Sequence, residues 1–186
     1  TEKLMFELDF FLKHMIEGYL GKKIANSDLK TIRSGFYSIC EKLSHEPLFF
    51  THRDYHSRNI MVQDDNIKII DFQDARMGPL QYDIASLLRD SYTVIPDKLR
   101  EDLLHYYMER LAERGFGMDD RTRFIEIFDL MSIQRNLKAL GTFAYQKISR
   151  GKDDYIPYMY PTICYVRENL DKFPQLRKLK DVLFNY

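Results

Sequence analysis

The chain carries no excess of charge of either sign, no closely spaced cysteine pair and no long apolar run. Its 28 Lys and Arg residues balance 28 Asp and Glu. No net field therefore draws it to nucleic acid or an anionic membrane, and any basic feature has to be local. Cys40 and Cys164 stand apart, without a CxxC or a His-rich neighbour. That spacing offers no disulfide framework and points to reduced core thiols in a cytoplasmic protein, with a long-range bridge left open. The opening "TEKLMFELDFFLKHMIEGYL" has Lys, Glu and Asp throughout, which fits neither a signal peptide nor a membrane span. It starts on Thr1 in what reads as mid-helix, and the expectation is that the chain is the rear part of something longer.

What is present suits one packed domain over residues 1–186, with 45% hydrophobic residues and 13 Phe plus 13 Tyr. Leu8, Phe11, Leu12, Met15, Ile16 and Tyr19 share one helical face, and Gly21 is a natural stop. A second helix is expected from Ser27 or Asp28, burying Ile32, Phe36, Ile39, Cys40 and Leu43. Then the period changes. "PLFF", "NIMV" and "IKII" are short apolar runs, the last two separated by the turn-like "QDDN", so a small antiparallel hairpin is predicted. Helices return after residue 80. Pro96 reads as the first position of one that carries Leu99, Leu103, Tyr107 and Leu111 and ends at Gly115. Asp119 or Asp120 is expected to cap a long helix to about residue 148. Pro161 starts another with Ile163, Val166 and Leu170, and Pro174 precedes a last one with Leu176, Leu179 and Leu183. The fold class is mainly α with a small antiparallel β-hairpin.

The polar residues gather at that hairpin. "THRDYHSRNIMV" places His52, Asp54, His56 and Asn59 just before a strand, and Asp71 follows where "IKII" ends in "DF". The hairpin brings Asn59, at the start of one strand, close to Asp71, at the end of the next, with Asp54 one side chain away. Phosphoryl transfer needs a carboxylate near the attacking hydroxyl and hard oxygen ligands that hold Mg²⁺ against nucleotide phosphates. The order HRDxxxxN…DF is that of kinase catalytic loops. The blander alternative makes Asp54 and Asp71 turn residues and Asn59 a strand-end cap. Gln73 stands where a protein kinase has the glycine of DFG, and only "ARMGPLQ" separates Asp74 from Tyr82-Asp83, too short a segment to dock a protein substrate. A small-molecule acceptor is expected.

"HRDYHSRNIMV" followed by "IIDFQDARMGPLQYDIASLLRD" resembles the aminoglycoside phosphotransferase and choline kinase family, whose pattern is H-x-D-x-x-x-x-N and then I-D-F/W. Together with "SLLRDSY" and "QRNLKALGTFA" it is similar to the bacterial anomeric kinases of N-acetylmuramate and N-acetylglucosamine within that family. The resemblance implies the C-terminal lobe of a protein-kinase-like fold. It implies Asp54 as catalytic base, Asn59 and Asp71 as Mg²⁺ ligands, His52 bracing the loop, and Asp83 holding the loop backbone from a helix start. ATP is the implied phosphoryl donor, from an N-terminal lobe with a glycine-rich loop and a strand lysine. This chain offers only "GFG" at 115–117, after a helix and with Asp120 where a third glycine would stand. The expectation is a partner lobe upstream.

Acceptor contacts are expected from several residues. Gln73 and Asp74 follow Asp71, with hairpin support as the alternative. Arg89 and Asp90 end a helix near the same mouth and either pair with each other or bind substrate. Arg135 and Lys138 continue the stripe Phe124, Ile127, Phe128 and Met131 into what reads as core, where a cation needs a partner. That partner is a carboxylate of the fold, such as Asp83 or Asp90, or an anionic or hydroxyl-rich substrate. His56 reads as positional, and Arg58 as a phosphate contact or a cover for the hairpin. Aminoglycoside, choline and homoserine remain alternative acceptors, and a catalytically silent binding lobe is the alternative to an enzyme.

Overall fold

In the computed structural model, which describes residues 1–116 and 120–186, the opening stripe forms helix α1 (Glu2–Phe11) and runs on into a π-helical segment (Leu12–Tyr19). Leu8, Phe11, Leu12, Met15 and Ile16 are buried, and Tyr19 is half-buried. Gly21 ends the segment at φ 63°, a left-handed conformation open to glycine without a Cβ penalty. Helix α2 (Asn26–Ser44) buries Ile32, Phe36, Ile39, Cys40 and Leu43, the full set expected of it. These elements belong to one compact unit, Thr1–His45 together with Ser132–Tyr186, while Glu46–Met131 forms a second.

The first unit is wholly helical among the described residues. Its later part contains the C-terminal stretch of α5 (Arg121–Arg150), then α6 (Met159–Asp171) and α7 (Arg177–Leu183). Leu137, Leu140, Val166, Leu170, Leu176, Leu179 and Leu183 complete its core. Helix α6 begins two residues before Pro161, because a proline in the first turn removes only an N–H that has no intrahelical acceptor. A Cβ added at Gly35 on α2 would lie 2.9 Å from the Leu179 side chain, so α2 and α7 pack with no room for one. The Tyr186 hydroxyl donates to Asp28 (2.8 Å) and accepts from the Ala25 N–H (3.2 Å), which ties the last helix to the start of α2. Both cysteines are free. Cys40 is buried, and burial pushes its thiol up to about 12. Cys164 is exposed on α6 and is not the core residue its isolation suggested, since a single thiol carries no helical phase of its own.

The second unit holds the β structure. β1 (Leu48–Thr51) pairs antiparallel with β4 (Arg76–Pro79), and β2 (Ile60–Gln63) with β3 (Asn66–Ile69). The expected hairpin is the β2–β3 pair. Asp64 and Asp65 join its strands at φ 50° and 58°, the positive φ at both central positions that a type I′ turn requires. Helices α3 (Gln81–Leu88) and α4 (Asp97–Glu113) follow, with Pro96 as the N-cap of α4 and not its first helical residue. The buried face of α4 is also displaced by one residue from the expected stripe. Arg100, Leu104, Met108 and Leu111 are buried, while Leu99 is 49% and Leu103 36% exposed. Two stripes overlap in that sequence, and Arg100 disguises the buried one. Its stem is covered while its guanidinium bonds Asp97 at 2.6 Å. Asp120 caps α5 by accepting the Arg123 N–H (2.8 Å). The alternative cap, Asp119, and Gly117 of "GFG" lie outside the described residues. Among the described residues no helix is long and apolar enough to cross a membrane.

Candidate active site

The loop from Thr51 to Asn59 is held chiefly through its backbone. Thr51, 3% exposed, bonds the Arg76 carbonyl across the β1–β4 pair (2.8 Å). Asp83 stands in the first turn of α3 and turns both carboxylate oxygens to the loop. Oδ2 accepts the His52 N–H (2.7 Å) and Oδ1 the Arg53 N–H (2.9 Å). Such a fork fixes two successive peptides, and it helps hold Arg53 at φ 74°, a left-handed position that a side chain other than glycine reaches only at a cost. The Arg53 guanidinium lies 4.8 Å from the centre of the Tyr82 ring. His52 reaches forward, with Nε2 3.0 Å from the Ile70 carbonyl. A carbonyl only accepts, so Nε2 carries the proton. The brace expected of His52 thus runs to the strand end just before Asp71.

Asp54 is half-buried, and its carbonyl accepts two bonds, from the His56 N–H (3.1 Å) and from Asn59 Nδ2 (2.9 Å). The second bond orients the Asn59 amide. With Nδ2 turned back to Asp54, Oδ1 is the oxygen left to face a ligand. Asn59 itself is 7% exposed, and its carbonyl accepts the Ile70 N–H (3.0 Å), one step beyond the Ile60–Ile69 pair of the ladder. Asp71 comes next, exposed and at φ 68°. The hairpin ladder therefore places a buried amide oxygen donor and an exposed carboxylate at the same end of two paired strands. An amide oxygen with a carboxylate oxygen is a hard donor set that suits Mg²⁺, which takes one or two protein oxygens and completes its shell with phosphate and water.

The sequence pattern of the phosphotransferase enzyme family matches residues 9–119, more than half of the chain. The chain belongs to that family. The chain is also similar to the N-acetylmuramate/N-acetylglucosamine kinase of Neisseria meningitidis serogroup B, with 28% identity over 98% of this chain and 55% of the relative. A Pseudomonas aeruginosa protein of the same name is 28% identical over 95% of this chain and 53% of the relative, and one from Pseudomonas putida is 28% identical over 95% and 52%. The chain thus spans about half the length of the curated relatives it matches.

The remaining expected contacts lie in different surroundings. Gln73 and Asp74 are exposed, in the turn between β3 and β4, and Asp74 lies 3.9 Å from Arg76. Arg89 and Asp90 are each 2% exposed. Asp90 accepts the Ser57 N–H with Oδ2 and the Tyr92 N–H with Oδ1, both at 2.8 Å, so its two oxygens are engaged by backbone. That engagement, unlike an acceptor contact or a pair with Arg89, had no signature in the sequence beyond an Asp just past a helix end. Arg135 and Lys138 belong to the first unit, on α5, and are half-buried there. Arg58 stacks 4.1 Å from the centre of the Tyr92 ring, and His56 meets the same ring edge-on at 5.0 Å. Tyr107 escaped sequence reasoning except as a core residue. Its hydroxyl donates to the Leu80 carbonyl (3.4 Å), and burial, followed by the charges of Asp83 and Tyr55, pushes it up to about 12.

Proposed function

We propose that this chain is the catalytic part of a kinase that moves the γ-phosphoryl group of ATP to a hydroxyl of an amino sugar, with the anomeric hydroxyl of N-acetylmuramate or N-acetylglucosamine as the acceptor. The observation that carries this reading is the Asn59 amide. Its Nδ2 bond to the Asp54 carbonyl joins the candidate base and the candidate metal ligand into one rigid turn and leaves Oδ1 as a fixed oxygen donor. In this reading Asp54 accepts the proton of the attacking hydroxyl as its oxygen bonds to phosphorus and the bond to the nucleotide breaks. Asn59 and Asp71 would hold Mg²⁺, which supplies charge neutralisation at the phosphates. His52 and Asp83 keep the loop in place, and Gln73 and Asp74 are proposed acceptor contacts at its mouth. Asp90, with both oxygens on backbone N–H groups, is reassigned from acceptor contact to loop support.

The acceptor class follows that of the similar kinases, and a small acceptor also suits the short segment after Asp74. A nucleotide-binding lobe upstream is part of the proposal. Two observations support it. The chain spans about half of its relatives, and the β2–β3 hairpin exposes Met61, Val62, Ile67 and Ile69 as if to be covered. A cytoplasmic location accords with the free thiols.

The test is phosphate transfer from ATP by the full-length protein, offered N-acetylmuramate, N-acetylglucosamine, kanamycin, choline and homoserine in parallel. Transfer to the amino sugars is expected. Asp54→Asn should lower turnover by roughly 10²–10⁴-fold and leave ATP binding intact. Transfer to another acceptor in the panel discards the sugar assignment and keeps the mechanism. ATP binding without transfer brings forward a catalytically silent lobe.

A further inference from the structure

Asp83 secures only the near shoulder of the loop, at His52 and Arg53. The far shoulder, His56 to Arg58, is docked along its length on the segment that leaves α3. Asp90 Oδ2 accepts the Ser57 N–H (2.8 Å), and the Thr93 hydroxyl donates to the Ser57 hydroxyl (3.1 Å). Tyr92 presents its ring to both neighbours, edge-on to His56 and beneath the Arg58 guanidinium. Asp90 also fixes that segment itself, because its Oδ1 accepts the Tyr92 N–H two residues on in an Asx-turn. One buried carboxylate, 2% exposed, thus joins the two chains. We infer that Asp90 is a positioning residue, the second of two carboxylate clamps that flank Asp54, with Asn59 two residues beyond the second.

The reasoning is geometric. Between the clamps lie Asp54, Tyr55 and His56, and the internal bonds of this turn run from His56 and Asn59 back to the Asp54 carbonyl and from Asn59 to the His56 carbonyl. Those bonds fix the turn's shape but not its direction in space. Direction comes from its two ends. Releasing Ser57 lets the turn pivot about the Asp83 fork, and it carries the Asp54 carboxylate and the Asn59 amide together. A displacement on the order of 1 Å at a reacting group can cost about 10²-fold in rate without touching substrate affinity. Asp83 and Asp90 both sit on α3 or its exit, seven positions apart, so one short helix sets the distance between the clamps.

This inference rests on the kinase reading of the loop, and the experiment separates the two. In the full-length protein, Asp90→Ala and Asp90→Asn are compared with wild type by steady-state transfer and by amide hydrogen exchange of the 55–59 segment, with the Ile32–Leu43 segment of α2 as internal reference. For Asp90→Ala the expected result is a kcat about 10²-fold lower, KM values for ATP and acceptor within about twofold, and faster exchange at 55–59 with no change in α2. Asp90→Asn keeps one accepting oxygen, folds with the wild-type thermal midpoint and falls between the two in both readouts. Unchanged kcat per folded molecule, or a raised KM at unchanged kcat, overturns the clamp, the latter in favour of an acceptor contact. If wild type transfers no phosphate, the kinase reading fails by itself. The clamp is then decided by exchange, standing if the 55–59 segment loosens and falling if it does not.

Discussion

The loop over Thr51–Asn59 and the hairpin that follows it are adjacent in sequence and opposite in environment. The loop is polar, yet Thr51, Arg53 and Asn59 are buried and the N–H groups of His52, Arg53 and Ser57 end on carboxylates. The hairpin is apolar, yet Val62 is 75%, Ile67 68% and Met61 51% exposed. In an ordinary domain the arrangement would be reversed, with apolar strands inside and charged turns outside. Here the helical frame behind the loop is spent on orienting peptide groups. The hairpin takes its shape from its type I′ turn and four-residue ladder, and a two-stranded ribbon alone is only marginally stable. The His52 side chain ties its end to the loop through the Ile70 carbonyl. Precision resides in the loop, and the hairpin presents surface.

The contrast can be broken most severely at Asp83. Asp83→Ala leaves the His52 and Arg53 N–H groups without acceptors, and at about 1–3 kcal/mol for each unsatisfied buried group the expected loss is about 2–4 kcal/mol, read as a shift of the urea midpoint. A loss well under 1 kcal/mol would mean that water replaces the carboxylate and that the loop is no more buried than the hairpin.

A spectrophotometric titration then sharpens the difference between the loop's packed side and the open sheet. Tyr107 behind the loop should ionise near pH 12, and Tyr107→Phe should remove that component. Because its folded-state value is raised, folding favours the neutral phenol. Its contribution to stability is complete below about pH 10 and is lost as pH rises through about 12. A Tyr107 that titrates with the exposed tyrosines would place solvent behind the loop.

The smallest effect is expected in the hairpin. Val62→Thr with Ile67→Thr keeps β-branching and removes apolar surface already in water, so the stability of this chain should change by no more than about 0.5 kcal/mol. A loss above 1 kcal/mol would show the hairpin to be buried after all.

How much of this was legible follows the same division. The stripes of α2 and α5 repeat over several turns, and every residue expected to be buried on α2 is buried. The hairpin announced itself through two apolar runs about a two-residue acidic turn. Strand β4 did not, because "RMGP" has no alternation and ends in proline, which a ladder tolerates only at an edge. The π-helical segment was invisible, since its buried residues satisfy α-helical spacing equally well. In the site, Asp54, Asn59 and Asp71 could be named from spacing that matches a known chemistry, and Asp83 from a family resemblance. Asp90 could be named but not understood, because its partner at Ser57 lies 33 residues away and a backbone N–H leaves no mark on a sequence.

The first unit is discontinuous, and its α2 faces α7 across Gly35 and Leu179. During synthesis α1 and α2 leave the ribosome well before α7, which supplies the surface that covers Gly35. At about 5–20 residues per second the wait is on the order of ten seconds. In the latter part of it the second unit, continuous in sequence and complete at Met131, has all of its own contacts available. The nascent chain therefore matures from the middle outward, and the apolar face of Ile32, Phe36 and Leu43 is the surface a chaperone would meet in the interval.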